Sequence, residues 1–452
     1  MSGRRRNKVG IALAGGGPLG VIYEIGALVA LERALRGVSL TDLDVYVGVS
    51  SGAFLAAGLA NGMAPSEMHA MFILDRSHHD PFEPGILLRP AFGEFARRLM
   101  RLPELMQAAA LAYLGALPTR GLAALAYFGA LPTRGLVESF MRLTRGLPTG
   151  LFDNGAFAAY YARRFSEPGR TDDFRKLAHK LFIVATDLDS GKSVPFGAPG
   201  LDHVPISEAI KASAALPGLY PPARIGDRDY VDGALKKTLH ASVALKEGAK
   251  LVICVNPLVP YNADLASAAG AKPVRLADRG LVTVLSQTFR ALIHSRMRVG
   301  MGRYAKEFPD ADVVLFEPAQ DDEVIFFANI FSYAGRRRLA EHAYRHTISE
   351  LRRRARELGP IVARHGVELD RSVLESEEGI ASKPTETGKL WDSALEKTLG
   401  ELEGTLSQGK PRGSEGVNRD AAKAAAPERI HPRLARKFEL PQRADSAHTG
   451  SA

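Results

Sequence analysis

Cysteine occurs once in the 452 residues. That excludes an intramolecular disulfide and any cluster of metal-bound thiolates. The one thiol, Cys254, stands in Leu251-Val252-Ile253-Cys254-Val255, the setting of a buried strand residue. Uninterrupted apolar runs of about 18 residues are also missing, so no spanning helix is expected. Zinc-finger and RNA-reading signatures are absent. The 59 Lys and Arg against 50 Asp and Glu give a net charge of +9, which favours acidic partners. With those signatures missing, no nucleic-acid partner is expected. The twelve histidines include none in the setting of a Ser-His-Asp triad; His203, His240 and His294 read as surface or packing residues. His78 and His79 precede Asp80 without a third ligand at telling spacing, so no metal is expected. The start, with Arg4-Arg5-Arg6 before Val9–Ala14, imitates an export signal. Its apolar stretch is short and runs directly into Gly15, so it reads as a strand. A cytoplasmic protein with peripheral membrane contact is the expectation.

What is present is a strand–helix rhythm. Val9–Ala14, Leu43–Val49, Leu181–Ala185, Tyr230–Val231 and Leu251–Val255 read as strands. Gly20 to Leu35, Gly52 to Leu59 and the stretch around Ala241–Glu247 read as helices. Alternation of this kind predicts a mostly parallel sheet covered on both faces. A basic tail over 1–8 precedes a domain expected over 9–260. Within it, residues 75–150 break the rhythm as a helical insertion. There Leu111–Leu122 recurs as Leu125–Leu136, with Phe128 in place of Leu114. Two copies are too few for a solenoid. They read as apolar helical pieces, either packed on the core or forming an interfacial patch over the site. Residues 261–375 are expected to be a helical, basic extension, with one helix over 281–308 and another from Arg336 to Leu358. Residues 376–452 are poor in apolar side chains and are expected to be mostly disordered, with a helix near Lys389–Leu402.

Two glycine motifs carry the chemistry. Gly15-Gly16-Gly17-Pro18-Leu19-Gly20 follows a strand and opens a helix, a geometry that aims backbone N–H groups at an anion. It also satisfies the Gly-x-Gly-x-x-Gly dinucleotide fingerprint, with Asp42 and Asp44 as candidate ribose-binding acids. Gly48-Val49-Ser50-Ser51-Gly52 has the Gly-x-Ser-x-Gly pattern of a nucleophile elbow between a strand and a helix. An exposed serine beside an anion cradle points to acyl transfer, with Gly15, Gly16 and Gly17 as the oxyanion hole. Ser50 needs a base. Asp232, in Asp229-Tyr230-Val231-Asp232-Gly233-Ala234, ends a short strand before two small residues. A buried carboxylate there can take the serine proton directly. The competing reading is an ordinary Asp-Gly turn.

The blocks Gly15–Gly20, Gly48–Gly52 and Asp232-Gly233-Ala234, in that order, resemble the signatures of the patatin-like phospholipases, bacterial-type lipid acyl hydrolases. Ala212–Pro222 and Ala185–Lys192 resemble further blocks of that family. The resemblance covers about residues 8–258. It implies a three-layer α/β/α domain and a Ser–Asp dyad without a catalytic histidine. Ser50 would attack a lipid ester, Asp232 would accept its proton, and no cofactor would be needed. Gly20, Gly48, Gly52 and Gly233 would be the motif glycines, and the lipid would be met at a membrane or lipid-droplet surface. One departure stands out: the family's loop usually carries Arg or Lys at its fifth position, where this chain has Leu19 after Pro18. A catalytically weak lipid-binding protein and a dinucleotide-binding oxidoreductase are therefore the alternatives to a serine lipid hydrolase.

Overall fold

Runs of β-branched and aliphatic residues form the central strands β1 (Val9–Leu13), β3 (Val45–Gly48), β4 (Lys180–Asp187), β8 (Leu251–Val255) and β9 (Asp312–Phe316), and shorter or more polar stretches form β2 (Leu35–Arg36), β5 (Ser193–Phe196), β6 (Ala223–Ile225), β7 (Arg228–Asp232) and β10 (Glu368–Leu369). The computed structural model describes residues 7–74, 85–86, 89–115, 144, 146–327, 333–376 and 378–380. Helices are α1 (Gly17–Ala34), α2 (Ser51–Ala60), α3 (Pro65–Phe72), α4 (Phe92–Met100), α5 (Leu102–Gly115), α6 (Gly155–Phe165), α7 (Ile206–Ser213), α8 (Ala241–Lys246), α9 (Ala263–Ala268), α10 (Leu281–Glu307), α11 (Glu323–Phe326), α12 (Tyr333–Arg353), α13 (Ala355–Ala363) and α14 (Arg371–Glu375).

Eight strands form one sheet in the order β6-β7-β4-β3-β1-β8-β9, with β5 also paired to β4. The centre is parallel: β1 pairs with β3 and β8, β3 with β4, and β8 with β9. The β5, β6 and β7 pairings are antiparallel. Side chains alternate across a strand, and the two faces of β1 show the result. Val9, Ile11 and Leu13 enter one apolar cluster with α1, α2 and α12, while Ala12 and Ala14 enter another with α8 and α10. Helices therefore cover both faces, which gives the expected three-layer α/β/α architecture. Cys254 is buried in β8, and burial pushes its thiol far above the ordinary range.

The stretch after 260, expected to be a helical, basic extension, is not helical throughout. It also supplies β9, whose Asp312–Phe316 pairs in parallel with Leu251–Val255. Five residues between long helical stretches are too short a run to show a strand's period. The helix expected from Arg336 to Leu358 is broken at Arg354, where α12 gives way to α13. α12 shows arginines to solvent but buries Leu339, Ala340, Ala343 and Leu351. It lies directly on α1: a side chain at Gly26 would collide with the Ala340 carbonyl. α10 spans nearly the whole stretch predicted over 281–308. Most of the 111–136 repeat, the 389–402 helix and the tail lie outside the described residues.

Candidate active site

β3 ends at Gly48, and α2 begins at Ser51. Ser50, in the turn between, has φ 51° and ψ −118° and is the one non-glycine residue with positive φ among the described residues. Such a conformation costs roughly 1–3 kcal/mol and needs support from its surroundings. The support is local. The Ser50 amide donates to Ser213 Oγ at 2.8 Å, and Ser213 Oγ donates to the Val184 carbonyl at 2.7 Å. Gly48 and Gly52 make the turn possible. A β-carbon at Gly48 would enter the Gly52–Ala53 backbone, and one at Gly52 would enter the Leu13–Ala14 backbone.

Asp232 arrives from the opposite strand direction. β4 aligns Ile183 with Gly48 of parallel β3 and Ala185 with Asp232 of antiparallel β7. Both strands thus deliver their carboxyl ends to one short stretch of β4. Ser50 Oγ donates to Asp232 Oδ2 at 2.6 Å, and the Ala234 amide donates to Oδ1 at 2.8 Å. The Asp232 amide donates to the Ala215 carbonyl at 3.0 Å. Gly233 follows because a side chain there would strike the Val184 carbonyl. Only 3% of Asp232 is exposed, and burial pushes its carboxyl from 3.8 up to about 6. The hydrogen bonds from Ser50 and Ala234 pull it partly back. A carboxyl at that value can accept a proton near neutral pH and return it.

The glycine loop closes the third side. A β-carbon at Gly15 would sit 3.0 Å from both Ser50 Cβ and Ala234 Cβ, so the loop backbone packs against Ser50 and against the residue two past Asp232. The N–H groups of Gly15, Gly16 and Gly17 donate to no acceptor among the described residues. Gly20 packs against Ser51 and Pro257. Pro18 occupies the first turn of α1, where an amide has no intrahelical acceptor, so the helix itself loses no bond. Leu19 is half-buried against the core. The sheet's carboxyl edge therefore holds a hydroxyl on a carboxylate beside a glycine loop whose first three amides have no acceptor among the described residues.

Other sequence candidates fall elsewhere. Asp44 Oδ2 accepts from the Val9 amide at 2.8 Å, and Asp42 pairs with His179 at 2.9 Å. Both acids lie at the amino end of the sheet, a strand length of roughly 16 Å from the glycine loop. The dinucleotide reading thereby loses its ribose partner. His240 is buried and precedes α8; burial holds it neutral, down at about 3. His294 faces Glu317 at 3.5 Å, and His203 is exposed. His78 and His79 lie outside the described residues. A cavity of about 490 Å³ is lined by His69, Arg337, Arg338, Glu341 and Arg345, with no serine or cysteine nucleophile in its wall. Ser213 was invisible as a site residue from sequence. Its only signal was its place in the Ala212–Pro222 block.

Comparison with known proteins now bears on this geometry. Residues 11–245, just over half of the chain, match the patatin-like phospholipase family. The chain belongs to that family. Its fold is the patatin-like one, and membership places it in the broad class of lipid acyl hydrolases. Among solved structures, VipD from Legionella pneumophila is similar over 89% of this chain and 76% of its own, at 14% identity and a TM-score of 0.35. The type III effector protein ExoU is similar over 91% of this chain and 66% of its own, at 16% identity and a TM-score of 0.32. Both are remote neighbours, and the patatin-like assignment rests on residues 11–245.

Proposed function

We propose that the chain hydrolyses carboxylic esters of lipids through a Ser50–Asp232 dyad, with the Gly15–Gly17 amides as its oxyanion hole. The observation that carries this reading is the 2.6 Å hydrogen bond from Ser50 Oγ to Asp232 Oδ2. Asp232 takes the hydroxyl proton as Ser50 Oγ bonds to the ester carbonyl carbon. The carbonyl oxygen becomes an oxyanion and takes the free amides of the glycine loop, each worth about 3–4 kcal/mol in a dry site. The C–O bond to the alcohol then breaks, and protonated Asp232 gives its proton to the leaving oxygen. An acyl-Ser50 ester remains. Water attacks it, Asp232 takes the water's proton and returns it to Ser50 Oγ, and the fatty acid leaves. None of these steps calls on a histidine. The ester is drawn from a membrane or lipid-droplet surface.

A fluorophosphonate probe with a lipid-like chain tests this. Wild-type protein is expected to label at Ser50, and Ser50→Ala to remain unlabelled. Equal labelling of both would refute the assignment of the nucleophile. Lipid binding without labelling of the wild type would favour the weak lipid-binding alternative, in which Leu19, standing where the family carries a cation, marks an impaired loop.

A further inference from the structure

α4 is built inside out. Its one buried side chain is Glu94, held by Arg98 Nε at 2.8 Å and by Thr149 Oγ1 at 3.1 Å. Its apolar residues face solvent: Phe92 is 74% exposed, Leu99 69% and Met100 72%, with Phe95 at 39%. Phe92, Phe95 and Leu99 lie at i, i+3 and i+7, one helical face. α10 carries a second outward stripe, with Leu285, Phe289 and Leu292 at i, i+4 and i+7, while its inner face buries Ile293, Met297 and Tyr304. Exposed Arg296 and Arg303 stand on the α10 face, whereas on α4 the exposed Arg97 and Arg101 lie on the side opposite Phe92 and Leu99, with Arg97 Nη2 on Glu94 at 3.1 Å. A water-soluble surface helix turns its apolar stripe inward, the reverse of α4.

Both helices are tied to segments that build the active site. Before α4, the Ala91 amide bonds to the Leu151 carbonyl, and the Leu151 and Phe152 amides bond to the Gly218 and Leu219 carbonyls. Gly218 lies five residues past Ser213, which holds the Ser50 amide. On the other helix, Gln287 bonds both the amide and the carbonyl of Tyr261, and Arg290 Nη1 bonds the Val259 carbonyl at 3.1 Å. Val259 is two residues from Pro257, which packs against Gly16 and Gly20 of the glycine loop.

We propose that the outward faces of α4 and α10 together form a docking surface for an anionic phospholipid bilayer, seating the catalytic pocket on the membrane that supplies its ester. The inference rests on the lipid-ester reading above. Apolar side chains of both helices enter the acyl boundary while Arg296 and Arg303 of α10 meet phosphate headgroups. That charge complementarity on α10 favours a bilayer over a second protein, which would have to match a cationic apolar stripe on one helix and an uncharged one on the other.

The test is co-sedimentation of the full chain with vesicles of phosphatidylcholine plus phosphatidylglycerol, and of phosphatidylcholine alone. Wild type is expected to bind the anionic vesicles more tightly, with binding weakened by salt. The triple variant Phe92→Ser/Phe95→Ser/Leu99→Ser is expected to lose roughly a hundredfold in vesicle affinity while keeping wild-type turnover of a short soluble ester. The parallel variant Leu285→Ser/Phe289→Ser/Leu292→Ser is expected to behave likewise. In a Trp391→Phe background, Phe92→Trp is expected to shift its emission to the blue on anionic vesicles. Unchanged vesicle affinity in both variants, equal loss on the soluble ester, or conversion of a dimer to a monomer without loss of vesicle binding would each overturn the proposal. Ser50→Ala separates the two readings: it should still bind vesicles. A Ser50→Ala protein that binds and also turns over ester would sink the dyad and leave the docking surface standing.

Discussion

Replacing Asp232 by Asn is expected to stabilise the protein while removing its activity. Asn keeps the carboxylate's shape: its Oδ1 can accept from Ala234, and its amide can face Ser50 Oγ. It carries no charge into a site where 3% of the residue meets solvent. The displacement of the carboxyl from 3.8 to about 6, at about 1.4 kcal/mol per pKa unit, corresponds to about 3 kcal/mol. The sign follows from where the proton sits. Below pH 3.8 the group is neutral in both the folded and the unfolded chain, and the penalty is absent. As pH rises from 3.8 to about 6 the unfolded chain ionises first, so wild type loses stability relative to the variant. Above about 6 the gap is full and constant. Urea unfolding of both proteins at pH 4 and pH 7.5 measures it: near parity at the lower pH, and a variant more stable by about 3 kcal/mol at the higher. Turnover of a short ester by wild type should rise with pH through about 6, as the base ionises. A variant less stable than wild type at pH 7.5, or one that retains turnover, would refute the assignment of a buried, charged base.

Ser213→Ala strands the Ser50 amide and the Val184 carbonyl; a loss of about 1–3 kcal/mol in urea unfolding is expected, and kcat on a short ester should fall about tenfold as the elbow relaxes. Wild-type stability and kcat together would show that the hydroxyl holds nothing. Gly26→Ala should lower the urea midpoint by overpacking α1 against α12, at a cost of about 1–3 kcal/mol, although Ala in an open helix would gain about 1 kcal/mol. A raised midpoint would mean that the two helices do not touch.

The central elements were legible because their patterns are local. Val9–Leu13 and Val45–Gly48 are apolar runs that stop at glycine motifs, and α10 is a long helix without an internal proline. The candidate pair was legible for a related reason: a tight elbow admits only glycine two positions either side of its serine, and close approach to β4 admits only glycine after Asp232. What the sequence hid depends on distance. β9 shows no period in five residues. Ser213 is one serine at the end of a helix until Val184 and Ser50, far off in the chain, come within hydrogen-bond range of it. α12 displays its arginines in the sequence, but the partner of its apolar face is fixed only by the notch at Gly26.

The position of β1, flanked in mid-sheet by β3 and β8, has a consequence during synthesis. The partner strand at 251–255 and the helix at 333–353 leave the ribosome long after β1 and α1. Until they do, an apolar strand lacks one edge and an apolar helix lacks its cover. A nascent chain of this design waits for its later parts before its first ones can be buried, and its apolar surface is open to aggregation meanwhile. Cutting the gene before the codon for Arg353 should then yield aggregate, not a smaller working enzyme.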